Sequence, residues 1–213
     1  MRKKVISSIF IFLLVLCSLH ISSFAGVDQV KLFLSTDFTS TSFGSQATNY
    51  AADTFEKLGY DIQRPSIPLR YFVTNSKSVV MDYIRGTGDN YAFFVFAHGN
   101  AGRFTMNVND INQYIFSDEI TGAWHLVFIN SCNSMANTSL AEAFRTVGYS
   151  NRASLGWFDI VTDGGSAEWW GYFKNYAGTM SLRDACLEAA SHCQHSTPIR
   201  ILGDTSWYGF AWD

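Results

Sequence analysis

Two short runs constrain this chain more than anything else in it: Tyr91 to Ala97 (YAFFVFA) and His125 to Asn130 (HLVFIN). Neither alternates apolar with polar residues, as a strand wetted on one face would. A strand that is apolar on both faces must be covered on both, as the central strands of a helix-clad parallel sheet are.

The remaining segments fit such a sheet. Val30 to Ser35 (VKLFLS) reads as a further strand. After the polar stretch Thr36 to Gln46, the residues Tyr50, Ala51, Phe55 and Leu58 recur at helical spacing over Ala47 to Leu58, and Gly59 stands where a helix stops. Asp61 to Arg70 contains Pro65 and Pro68 and is a connector, and Ser76 to Ile84 is a second helix closed by Gly86 and Gly88. Arg103 to Asn107 and Gln113 to Phe116 form a short hairpin, and Ser117-Asp118-Glu119 begins a helical turn. A helix capped by Asn137 or Thr138 runs through Val147, and Ala153 to Val161 is strand-like. Helices over Gly164 to Tyr176 and Ser181 to Ala190 precede a last strand, Ile199 to Leu202. The alternation predicts an α/β fold, a three-layer α/β/α sandwich with a mainly parallel central sheet.

The chain begins as an exported protein does. Arg2, Lys3 and Lys4 precede an almost wholly apolar stretch, Val5 to Leu19, and Ser23-Phe24-Ala25 offers the small residues a signal peptidase reads. That stretch, about 15 residues, is short of the roughly 20 that a bilayer span needs. Residues 1–25 are therefore expected to be a signal peptide, residues 26–213 a single domain, and the mature protein secreted, with no membrane attachment after cleavage. Without those three cations, 12 basic residues face 18 acidic ones, a formal charge near −6, which argues against a nucleic-acid partner. A monomer is expected.

Cys132, Cys186 and Cys193 remain after cleavage, an odd count that leaves at least one thiol unpaired. Within one helix Cys186 and Cys193 would stand roughly 10 Å apart, beyond disulfide reach. They could pair only if the helix ended between them.

Cys132 and His98 carry the chemistry. Each follows directly on one of the two apolar runs, and in an open parallel sheet ligands meet the carboxyl ends of the strands. Neighbouring strands lie roughly 5 Å apart, so the two side chains could flank a substrate carbonyl, the thiol as nucleophile and the imidazole as acid and base. The helix starting near Asn137 would aim its N-terminus at the thiol. Gly99, lacking a side chain, lets backbone N–H groups approach, and its amide could join that of Cys132 in holding an oxyanion.

An apolar strand ending in His-Gly, followed by a second ending in Cys, resembles the caspase-like cysteine peptidases, the clan of caspases, legumain, clostripain, separase and the gingipains. Leu140 to Asp163 and Arg200 to Asp204 (RILGD) are similar to the segments that follow the nucleophile in the gingipain and CHAT-domain branch, and the resemblance spans roughly Val30 to Trp207. It implies a secreted cysteine endopeptidase acting on protein or peptide substrates, with His98 and Cys132 as the catalytic pair, Gly99 beside them, and no cofactor or metal. A preference for a basic residue before the scissile bond would need a carboxylate, for which Asp159 and Asp163 are the candidates. For Asp163 a helix cap is the favoured alternative. One departure is the stretch Asn133-Ser134-Met135-Ala136, since many members have a glycine shortly after the cysteine.

Three other readings are available. His98-Gly99-Asn100-Ala101-Gly102 could be the oxyanion loop of an α/β-hydrolase-type esterase, but that fold needs a nucleophile elbow of the form G-x-S-x-G, and Cys132 lies between Asn130 and Ser134. His192, Cys193 and His195 lack the spacing of a zinc site. A caspase-like chain kept for binding, with an inactive pair, is the non-enzymatic alternative. The aromatic cluster Trp169, Trp170, Tyr172 and Phe173 reads as core packing rather than a sugar platform.

Overall fold

In the computed structural model, which describes residues 28–85 and 91–211, the two apolar runs lie side by side and parallel. The segment expected to be a signal peptide, and Gly86 and Gly88, expected to close a helix, fall outside the described residues. The strands are β1 (Gln29–Ser35), β2 (Asp61–Ile62), β3 (Phe72–Thr74), β4 (Tyr91–Phe96), β5 (His98–Asn100), β6 (Arg103–Thr105), β7 (Tyr114–Phe116), β8 (Leu126–Asn130), β9 (Ala153–Trp157) and β10 (Ile199–Gly203). The helices are α1 (Ser42–Lys57), α2 (Lys77–Arg85), α3 (Ser139–Ala143), α4 (Asp163–Tyr176) and α5 (Leu182–His192).

The main sheet runs β10-β9-β8-β4-β1, and its far edge is split between β2 and β3, which pair with the two ends of β1. Every pairing in it is parallel except that of β10 with β9. A small antiparallel sheet, β5-β6-β7, grows directly from the end of β4 and contains the expected hairpin.

Strand side chains alternate between faces, and that alternation sorts the core in two. Leu32, Leu34, Ala92, Phe94, Phe96, Phe128 and Leu155 pack beneath α1, α4 and α5. Phe33, Phe93, Val95, Val127 and Ile129 face α2, α3 and the small sheet. Both faces of β4 and β8 are covered, which is why their sequences do not alternate. Trp169 and Trp170 are fully buried, and the Trp170 and Phe128 ring centroids lie 4.6 Å apart. Each buried side chain of this size contributes about 1.5–3 kcal/mol relative to an exposed one. The fold is thus the mainly parallel α/β sandwich that the sequence predicts.

Three boundaries differ from expectation by four residues or more. Helix α1 begins at Ser42, five residues before Ala47, because Gly44 lets its first turn press on the 3-10 turn Thr36–Phe38: a Cβ at Gly44 would come within 2.8 Å of the Phe38 carbonyl. Helix α3 ends at Ala143 rather than Val147. Arg145 takes a left-handed φ of 52°, which turns Thr146 inward so that its hydroxyl meets that of Ser154 at 2.8 Å. Strand β9 stops at Trp157, and 158–161 form a loop. Helix α5 continues to His192 without a break, so Cys186 and Cys193 are not joined, and both are free thiols like Cys132.

Candidate active site

The register of the sheet determines what stands together. Phe96 on β4 is the partner of Asn130 on β8, and the Ala97 N–H donates to the Asn130 carbonyl at 3.2 Å. His98 and Cys132 each lie two residues further on, so both fall on the face that carries Phe96 and Asn130, beneath α4. They line one small cavity of about 160 Å³ together with Phe38, Asp163 and Ser166. The Cys132 thiol is half-buried and donates a long hydrogen bond to the Val161 carbonyl at 3.5 Å.

Two residues from the end of β1 hold His98, and the sequence reading passed over both. The Phe38 ring lies 4.5 Å from the imidazole, centroid to centroid, and an Asp37 carboxylate oxygen stands 3.9 Å from His98 Nε2. That same oxygen accepts the Val108 N–H at 3.0 Å, which fixes its direction. The signal was present: β1 is the other parallel neighbour of β4, so residues just beyond Ser35 reach the same sheet edge as His98.

Gly99 faces the opposite side from His98, where the strand ends close on one another. A Cβ there would overlap the buried Ser131 hydroxyl and lie 2.9 Å from the Ser131 Cβ and 3.0 Å from the Arg103 carbonyl. Its small size therefore serves the approach of two strands.

The turn after Cys132 is tightly tied. Asn133 adopts φ 55°, the left-handed conformation that asparagine tolerates better than most residues. It takes up there the backbone freedom that a glycine would otherwise supply. The Asn133 N–H donates to the Asp159 carbonyl at 3.1 Å and that of Met135 to the Trp157 carbonyl at 2.9 Å. The Ser131 N–H donates back to the Ile129 carbonyl on β8, and those of Ser134 and Ala136 are used within the turn; that of Cys132 is not among these donors. Beneath, Asn130 Oδ1 accepts both the Trp157 indole N–H at 2.9 Å and the Ser166 hydroxyl at 2.8 Å, pinning α4 to β8.

The two candidate carboxylates separate. Asp159 is exposed, its side chain accepting the Ile160 N–H at 2.7 Å, and it does not line the cavity. Asp163 does. It is the first residue of α4, and the cap is supplied by its neighbour Thr162, whose hydroxyl accepts the Gly165 N–H at 3.0 Å. Capping is thus not the use of Asp163. Burial raises its carboxyl above the ordinary carboxylate range, while the His98 charge pulls the other way.

The helix N-terminus at the cavity is that of α4. Helix α3 is five residues long, starts seven residues after Cys132 and contributes nothing to the lining, so the dipole expected from Asn137 does not reach the thiol. Among the described residues, the other histidines do not line this cavity. His192 stacks on Tyr172 and Tyr176, and His195 Nδ1 meets Glu168 at 2.8 Å. Among the described residues no group of three or more His, Cys, Asp or Glu side chains is placed to hold a metal ion.

No protein-family model matches the sequence, and no curated protein matches it either. Among solved structures, the crystal structure of caspase-1 from Spodoptera frugiperda is similar, with a TM-score of 0.53 over 88% of this chain and 92% of that one at 11% identity. At that identity the likeness carries the fold and does not single out the gingipain and CHAT-domain branch. The chain has a caspase-like α/β/α sandwich fold.

Proposed function

We propose that this protein is a secreted cysteine endopeptidase of the gingipain-like and CHAT-like kind, matured by loss of residues 1–25. The observation that carries the reading is the shared cavity: a thiol and an imidazole from adjacent parallel strands, with a carboxylate at the same mouth. In this mechanism the Cys132 sulfur attacks the scissile carbonyl carbon, having passed its proton to His98. The amides of Gly99 and Cys132 hold the oxyanion. The imidazolium protonates the leaving amine, the C–N bond breaks, and a thioester remains. His98 then takes a proton from water, which displaces the thiol and releases the new carboxylate end. Asp163 would meet a basic side chain before the scissile bond.

One observation favours the alternative of a non-hydrolytic binding module. The hydrogen bond of the Cys132 thiol runs toward the Val161 carbonyl, at 3.5 Å, and not toward His98. Cleavage of a positional-scanning peptide library by the wild-type protein and by Cys132→Ala separates the two. Turnover that vanishes with Cys132→Ala supports the peptidase; a library left intact by the wild type sinks it.

A further inference from the structure

A larger cleft, about 750 Å³, lies beside the dyad cavity between the first turns of α1 and the outer face of α4. Ligand pockets commonly fall within roughly 300–1,000 Å³. The two hollows share a wall: Thr162 lines both, Asp163 lines only the first, and Gly164 lines only the second.

The cleft is largely aromatic, and the charged group on its wall, Glu168, is paired with His195. Phe43, Tyr50 and Tyr172 form its sides, and Phe43 leaves 45% of its surface exposed. Gly164 and Gly171, two turns apart on α4, keep room open beneath them: a Cβ at either would come to 3.8 Å from the Phe43 ring or 3.3 Å from the Tyr50 ring. The polar groups on the walls are engaged with one another. Gln46 donates to the Tyr50 hydroxyl at 3.0 Å. Glu168 accepts the Gln194 N–H at 2.9 Å and the His195 N–H at 3.2 Å, and it meets His195 Nδ1 at 2.8 Å. The Thr162 hydroxyl is committed to Gly165. What remains for a ligand is the Phe43 ring and those faces of Tyr50 and Tyr172 that are turned away from Lys174 and His192.

We infer that this cleft is a second subsite of the peptide-binding site and takes an aromatic side chain of the same peptide. The inference rests on the peptidase reading above. Alternate side chains of an extended peptide project on one side, roughly 6.6 Å apart. With one side chain against Asp163, the next on that side lies one step along the wall, where Gly164 opens the cleft.

The test uses alanine-based hexapeptides containing one lysine, in which a single phenylalanine is moved through every other position. Binding is measured to the Cys132→Ala protein and cleavage with the wild type. One phenylalanine position should improve binding about tenfold over the all-alanine parent. Gln46→Trp, an exposed helix position whose new ring fills the cleft, should bring the best phenylalanine peptide down to the affinity of the all-alanine parent measured on the same variant; Phe43→Ala should reduce the gain. Equal binding at every position, or a gain that survives Gln46→Trp, overturns the subsite. Absence of cleavage by the wild type while the position-dependent gain persists would overturn the peptidase reading and leave the cleft as a peptide-binding site.

Discussion

The Asp37 carboxylate faces His98 Nε2 across 3.9 Å, from a turn that belongs to a different strand. Too long for a direct hydrogen bond, the pair is close enough for one to form when a substrate settles the imidazole. Asp37→Asn is therefore expected to lower kcat about tenfold or more with KM little changed, because the carboxylate orients the ring and meets no substrate atom. Steady-state kinetics on the best library peptide would check this. A KM effect with unchanged kcat would contradict it.

Asp163 makes stability depend on pH. Its carboxyl titrates above its ordinary value of 3.8, chiefly through burial. A raised value in the folded state means that folding favours the protonated form. Its contribution is present in full below the unfolded value and is lost as pH rises through the folded one. At pH 7 Asp163→Asn should thus melt higher, by no more than about 3 °C given the partial solvent access, and the advantage should shrink as pH falls through the carboxyl's range. The same variant should lose preference for a lysine or arginine before the scissile bond. Thermal melts across pH, paired with the peptide library, measure both.

Gly99→Ala places a methyl group where Ser131 already stands. Overpacking of this kind costs about 1–3 kcal/mol, visible as a lower urea midpoint. The double variant with Ser131→Gly should recover most of the loss, and failure to recover would locate the strain elsewhere.

Asn130→Ala removes an acceptor used by two buried donors, the Trp157 indole and the Ser166 hydroxyl. Each stranded donor costs about 1–3 kcal/mol, so a loss of about 2–6 kcal/mol is expected in denaturant unfolding. Ser166→Ala should cost less than half as much, since Asn130 keeps the indole.

Thiol labelling should be ordered. Burial raises Cys193 to about 11 and encloses Cys186 completely, whereas Cys132 stands half-open at its cavity. At pH 8 iodoacetamide should modify Cys132 first, Cys193 slowly and Cys186 only after unfolding, as mass spectrometry of the digests would record.

The centre of the sheet was legible because apolar runs without alternation leave a strand few other places to go, and β4 and β8 are neighbours as their sequences imply. Helix limits were less so. Gly44 reads as loop until its approach to Phe38 is seen, and Arg145 carries no mark of a left-handed turn. At the cavity, His98 and Cys132 announce themselves by following strands directly, while Asp37 and Phe38 do not, because their place depends on β1 and β4 being paired. Thr162 competes with Asp163 for the capping position, and residue preference alone does not separate them.

The shared face of Phe96, His98, Asn130 and Cys132 has a consequence for how this sequence can change. A strand side chain switches sides with every residue, so inserting or deleting one residue in β4 or β8 ahead of the site would turn His98 or Cys132 toward α2 and the small sheet. Changes of two residues would preserve the side and shift only the height. The spacing from strand to site therefore works as a parity code, and lineages that vary the length of these strands should do so in even steps.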